Sequence, residues 1–172
     1  MNKNIKIEND FLPQKEFDKI QELMFNSLKF PWFYGNEIDS IEDDVNKFQF
    51  VHIFYVEFTS SQYVNILSPI LNRFQPLSIF RIKANLRTRT SKNEESSFHS
   101  DMDILSEEKR KQWTTSIFYM NTNNGYTKFE NGTKVNSVAN RMITFPTNMK
   151  HTGTSCTDEK TRVVINFNYY EI

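Results

Sequence analysis

Residues 79–89 of the chain follow an alternating pattern. Phe80, Ile82, Ala84, Leu86 and Thr88 fall on one side of an extended backbone, and Arg81, Lys83, Asn85, Arg87 and Arg89 fall on the other. Period two belongs to a strand, because successive side chains leave a pleated backbone on opposite faces. A helix would mix the two sets around its circumference. One face of this strand must therefore meet an apolar layer. The opposite face is expected to be solvated at most positions. Asn85 and Arg87 are set apart as candidate site residues, because they lie close in sequence to the histidine cluster described below.

Other segments extend the same pattern. Residues 48–58 (FQFVHIFYVEF), 113–120, 138–145 and 161–170 are rich in β-branched and aromatic residues and read as strands. TKFENGTKV reads as a hairpin, with Asn131-Gly132 supplying positive φ. Two stretches instead follow the helical period. Residues 13–30 carry Phe17, Ile20, Leu23, Met24 and Leu28 behind Pro13, and residues 61–74 carry Val64, Leu67, Ile70, Leu71 and Phe74, interrupted by Pro69. Sixteen Phe and seven Tyr against four Gly suit a chain that leans towards sheet. The expected class is α+β, mainly β: a small barrel or jelly roll with helices packed on one side. At 172 residues it is read as a single domain, with supporting helices and strands in 1–76 and a barrel core in 77–172.

Lys plus Arg and Asp plus Glu both number 21, which argues against attachment to nucleic acid or an anionic membrane by bulk charge. Cys156 is the sole cysteine, so no internal disulfide and no cysteine-based zinc cage can form. The N-terminus lacks the apolar core of a secretory signal, and no stretch approaches a membrane span. A cytoplasmic protein is expected, in the host cytoplasm if the source is viral.

The chain has three histidines, His52, His99 and His151. Asp101 follows His99 by two positions, so in an extended segment the two side chains can meet one metal from one face. His151 lies 52 residues further on and can arrive from another strand. Two imidazoles and one carboxylate on one face of an octahedron leave three positions open, an arrangement suited to non-haem Fe(II). A closed zinc site would need more protein ligands. Arg162, 11 positions after His151 and inside TRVVINFNYY, offers a planar guanidinium that can hold a carboxylate through two parallel hydrogen bonds.

Together, His99-Ser100-Asp101, His151 and Arg162 resemble the HxD…H…R signature of the Fe(II)- and 2-oxoglutarate-dependent oxygenases. SIFYMNTNNGYTKFENGTKV is similar to the strand-turn-strand of the prolyl-4-hydroxylase-like branch, and NRMITFPTNMKHTGTSCTDEKTRVVINFNY to its closing stretch. The likeness covers about residues 78–170, and the compact, Asn-rich form is similar to phage and marine-microbe members. It implies a double-stranded β-helix using Fe(II), 2-oxoglutarate and O2, a hydroxylase that couples C–H oxidation to decarboxylation of 2-oxoglutarate to succinate. It implies His99, Asp101 and His151 as metal ligands, Arg162 as partner of the distal carboxylate, and Tyr119 sharing that carboxylate. Asn85 stands where relatives carry a tyrosine, Val164 where many carry Ser or Thr, and GYTKF replaces paired glycines. Peptide or protein side chains are the favoured substrate, ahead of a free small molecule, with nucleic acid third.

Blander roles are assigned elsewhere. His52 among aromatics reads as a structural histidine, Asp103 as a loop acid, Cys156 as inert and the polar loop 90–98 as a candidate lid. Two rival readings remain: a non-redox cupin-like metal isomerase or binder, and a non-enzymatic viral β-sandwich module.

Overall fold

The computed structural model describes residues 5–36 and 47–171. Strand β1 (Lys6–Glu8) leads to helix α1 (Gln14–Asn26). The Pro13 carbonyl opens this helix by accepting from the N–H groups of Glu16 and Phe17 at 2.9 and 3.1 Å. Phe17, Ile20 and Met24 form its buried face, as the spacing predicts. It stops four residues before the expected end. Ser27 is extended, its hydroxyl accepts from the Lys29 N–H at 3.2 Å, and Phe30 turns back into the core. Leu28, expected on the apolar face, stands in solvent as a result.

Strand β2 (Phe33–Gly35) precedes β3 (Gln49–Val56), β4 (Thr59–Ser60) and a 3₁₀ turn at Val64–Leu67. Helix α2 (Ser68–Phe74) is a new helix rather than the continuation of one begun at residue 61. Pro69 sits in its first turn, where a missing N–H has no intrahelical partner to lose. Then come β5 (Ser78–Thr88), the short helix α3 (Glu107–Arg110), β6 (Thr114–Tyr119), β7 (Tyr126–Phe129), β8 (Lys134–Asn136), β9 (Arg141–Pro146), β10 (His151–Gly153) and β11 (Thr161–Tyr170). Gly132, at φ 87°, turns β7 into β8, the one residue of Asn131-Gly132 with positive φ.

Two antiparallel sheets result. The larger runs β1-β9-β6-β11-β5-β3-β2, with β4 on β3; the smaller runs β10-β7-β8. On the outer face of the large sheet, Ile82, Ala84, Phe118, Val163, Ile165 and Phe167 pack beneath α1, the 3₁₀ turn and α2 in one buried cluster. The inner face looks towards the small sheet. There Tyr119, Phe129, Val135, Ile143, Phe145 and Val164 form a second buried cluster. The remaining space between the sheets is polar.

Strand register sets the geography of that space. Three rows cross the inner face of β5, β11 and β6: Asn85–Val164–Tyr119, Lys83–Asn166–Ile117 and Arg81–Asn168–Thr115. No helix among the described residues is long and apolar enough to cross a membrane.

Candidate active site

A cavity of about 260 Å³ opens between the sheets, lined by His99, Asp101, His151, Arg162 and the polar face of β5. Most of that face therefore lines a cavity where its charge had implied bulk solvent, and Arg89 is the member that stays exposed. Arg81, Lys83, Asn85 and Arg87 all line the cavity.

One ligand atom from each of His99, Asp101 and His151 lies within 4.8 Å of the others. Residues 52 apart in sequence meet through backbone pairing. The His99 N–H donates to the His151 carbonyl at 3.0 Å, and the His151 N–H returns the bond to the His99 carbonyl at 2.8 Å. The two imidazole centroids stand 4.9 Å apart. Each ring has its Nδ1 against a backbone carbonyl, Ser97 for His99 at 3.2 Å and Met149 for His151 at 3.1 Å. A carbonyl only accepts, so each Nδ1 carries the hydrogen and each Nε2 lone pair is left for a metal. Burial holds His151 below the usual histidine range, outweighing the pull of Asp101, so its imidazole is neutral and fit to ligate.

Asp101 is 5% exposed. Its Oδ2 accepts from Asn168 Nδ2 at 2.8 Å and from Thr115 Oγ1 at 3.4 Å, which turns Oδ1 towards His99 Nε2 (3.9 Å) and Arg81 Nη2 (3.7 Å). Burial opposes its charge, yet His151, Arg81, Asn168 and His99 together hold the carboxyl below the usual range. Two neutral nitrogens and one ionised oxygen, each oriented from behind, are a donor set that fits a divalent first-row metal with open positions. Sequence reasoning missed Asn168 and Thr115, because an amide and a hydroxyl on strands carry no motif.

Arg162 is 4% exposed. Its Nε donates to Ser137 Oγ at 2.8 Å and its Nη2 to Thr127 Oγ1 at 3.2 Å. Thr127 also accepts from the Tyr119 hydroxyl at 2.8 Å. With both lone pairs engaged, Thr127 keeps its own proton to donate towards the cavity it lines. A hydroxyl from β7 on the small sheet thus stands beside Arg162, while β11 carries Val164 two residues after it. Tyr119 sits one layer behind Thr127, with its ring 5.6 Å from the Arg162 guanidinium carbon. Gly125 is required by the same side chain. A Cβ there would lie 2.6 Å from Arg162 Cδ and 2.7 Å from the Ser155 carbonyl oxygen.

Asn85 lines the cavity beside Val164. Arg87 lines it too, but its Nη1 donates to the Glu94 carbonyl, Ser96 Oγ and the Gly153 carbonyl at 3.1–3.3 Å, tying β5 to the opposite wall. The polar loop 90–98 is stitched down as well. Thr90 donates to the Cys156 carbonyl, Ser155 to that of Glu94, and Ser96 to that of Gly153. In these bonds the loop is an extension of the small sheet and not a free lid. His52 lies on the far side of the large sheet, between the Pro31 carbonyl (2.9 Å) and Ser61 Oγ (3.0 Å), in a structural role. Asp103 reaches the cavity rim.

No family model matches the sequence, and no curated protein matches it. Solved structures do match in fold. A prolyl hydroxylase from Trichoplax adhaerens, solved with a hypoxia inducible factor oxygen degradation domain peptide fragment, superposes with a TM-score of 0.69 at 13% identity, over 98% of this chain and 84% of that one. The viral collagen prolyl hydroxylase of Paramecium Bursaria Chlorella virus-1, in its 2-oxoglutarate complex, gives 0.60 at 12% identity, over 99% and 97%. An oxidoreductase of the 2-oxoglutarate-Fe(II) oxygenase family from Burkholderia pseudomallei gives 0.69 at 11% identity, over 98% and 86%. The fold is the double-stranded β-helix of those proteins.

Proposed function

We propose that the chain is a single Fe(II)- and 2-oxoglutarate-dependent oxygenase unit, a hydroxylase in the manner of the prolyl-4-hydroxylase-like enzymes. One observation carries this reading: a His-Asp-His triad with a metal-ready donor set and a buried guanidinium line the same cavity. A non-redox metal protein needs the triad but has no use for a desolvated arginine beside it, since an isolated buried cation is costly. A structural module needs neither.

His99, Asp101 and His151 hold the iron, and the open face of that set leaves room for an oxo acid and dioxygen. When bound, ferrous iron with 2-oxoglutarate and O2 supplies the oxidising chemistry, which releases succinate and CO2 as a substrate C–H bond is hydroxylated. Asn168 and Thr115 aim Asp101 from behind, and the charges of His151 and Arg81, with the Asn168 hydrogen bond, hold it ionised. Arg162 and the Thr127 hydroxyl grip the distal carboxylate of the cosubstrate, and Tyr119 orients Thr127 from behind. Asn85 flanks the cosubstrate from β5. Ile117 and Val164, from the inner apolar cluster, give the cavity an apolar wall. The substrate is a peptide or protein side chain or a small molecule, on the strength of the peptide bound to the Trichoplax neighbour. A lone thiol, which needs no oxidising compartment, supports a cytoplasmic setting.

The test is anaerobic. Apoprotein mixed with Fe(II) and 2-oxoglutarate is expected to develop the visible charge-transfer band of the chelate, and admission of air to yield succinate. Arg162→Met is expected to bind iron normally but weaken 2-oxoglutarate by roughly 10- to 100-fold, the loss of a charge-assisted pair. Metal binding without the band supports the cupin-like alternative, and absence of both supports the structural one.

A further inference from the structure

Four cations face the cavity, and three of them have protein partners. Arg162 is held by Ser137 and Thr127, Arg87 by the wall across from it, and Arg81 by Asn168 and Asp101. Lys83 differs. Among the described residues no hydrogen bond or ion pair holds its ammonium. Burial first, and Arg81 second, push its pKa below the usual lysine range against the pull of Asp101. Its register partner on β11 is Asn166, whose Oδ1 is buried without a hydrogen-bond partner. A partly buried ammonium without a protein partner thus shares a row with a buried, unpaired amide oxygen, and the fold alone does not explain the cost of that oxygen.

Position sets Lys83 beside the carboxylate anchors rather than among them. Asp101 hangs from β6 and β11, Arg162 stands on β11 and Thr127 on β7. Lys83 stands on β5, one strand beyond β11 at about 4.8 Å, and its partner Asn166 stands on β11 between Arg162 and Asn168.

We propose that Lys83 and Asn166 are the substrate-recognition pair of this site: the ammonium takes a substrate carboxylate, and Asn166 Oδ1 accepts from an N–H or O–H next to it. The substrate class is then a carboxylate with an adjacent donor, found in a free α-amino acid or in an acidic side chain beside its own peptide N–H. A cavity of about 260 Å³ sits just under the usual range of ligand pockets, so one small head group enters beside the cosubstrate. This assignment rests on the oxygenase reading.

The experiment loads wild type, Lys83→Met and Lys83→Arg with Fe(II) and 2-oxoglutarate without oxygen, with thermal melts to verify folding. Two isosteric pairs are titrated by calorimetry: L-glutamate against L-glutamine, and acetyl-Ala-Glu-Ala-amide against acetyl-Ala-Gln-Ala-amide. In wild type the carboxylate member of one pair is expected to bind at least about 10-fold tighter than its amide, the worth of one charged hydrogen bond. Lys83→Met is expected to bring that preference to within about twofold, and Lys83→Arg to keep most of it, with 2-oxoglutarate affinity unchanged in both. The pair that shows the preference distinguishes a free amino acid from a peptide side chain. Equal affinity within both pairs, no binding of either carboxylate probe at about 10 mM, or loss of 2-oxoglutarate affinity in Lys83→Met overturns the assignment while the chelate band still stands. If the band itself fails to form in wild type, the oxygenase reading falls and takes this one with it.

Discussion

Strand β11 shows two different regions of the molecule on its two sides. Val163, Ile165, Phe167 and Tyr169 point outward into the helices and are almost wholly buried among apolar neighbours. Arg162, Val164, Asn166 and Asn168 point inward, and three of those four are polar. Both sides are out of water, so burial alone does not separate them. The outer side gains from removing apolar surface, at roughly 25 cal/mol per Å². The inner side loses by desolvating cations and amides and recovers only part of that through hydrogen bonds. The same ten residues thus hold the fold with one face and carry the chemistry with the other. Stability and function should be separable by substitution on alternate positions.

The sharpest test of that separation is Phe167→Ala. Phe167 is fully buried and packs edge-on against Phe74 with ring centroids 5.5 Å apart. Its truncation is expected to cost about 3–5 kcal/mol in denaturant unfolding, while the protein that remains folded keeps its Fe(II) affinity. A large loss of metal affinity per folded molecule would break the comparison.

Asn168→Ala, one residue along and on the other face, should do the reverse. It strips Asp101 Oδ2 of its 2.8 Å donor and is expected to weaken metal binding by about 10- to 100-fold, the usual effect of losing such a support. Competition with a coloured chelator measures it. An unchanged metal affinity would show that Thr115 alone suffices to aim the carboxylate.

The smallest effect is set by pH and touches both faces. His52 on the outer side and His151 on the inner side both have pKa values lowered, chiefly by burial. The unfolded chain takes up protons near the ordinary value of about 6.5 while the folded chain resists. Stability of the metal-free protein is therefore full above that pH and falls as pH drops through it. Melting curves from pH 8 to pH 5 are expected to show a steady decline, and a flat profile would mean that neither ring is held neutral.

Much of this arrangement was legible in the sequence, for identifiable reasons. Strand β5 announced itself because its period-two pattern ran from Phe80 to Arg89. His99, Asp101, His151 and Arg162 stood out because their chemistry is rare and their spacing specific. What escaped was whatever depends on the partner rather than the residue. Strand β10 is three residues long and reads HTG, too short and polar to signal a strand; it is extended only because β7 and His99 pair with it. The cationic face of β5 looked solvated because charge usually faces water, and period two tells which residues share a face without telling what covers it. Asn168, Thr115 and Thr127 acquire their roles only when β6, β7 and β11 are brought together. Leu28 misled in the opposite direction: its spacing was helical, but the helix had already ended at Asn26.

The reciprocal backbone bonds between His99 and His151 have one more effect. They make two metal ligands into a single rung of a ladder, so while that rung holds neither imidazole can drift from the ion independently of the other. Any fluctuation that unzips residues 95–99 from the chain after 150 carries His99 away while β7 still holds His151. An ion seated there clips that zipper shut, and its release should free the whole stretch for hydrogen exchange at once.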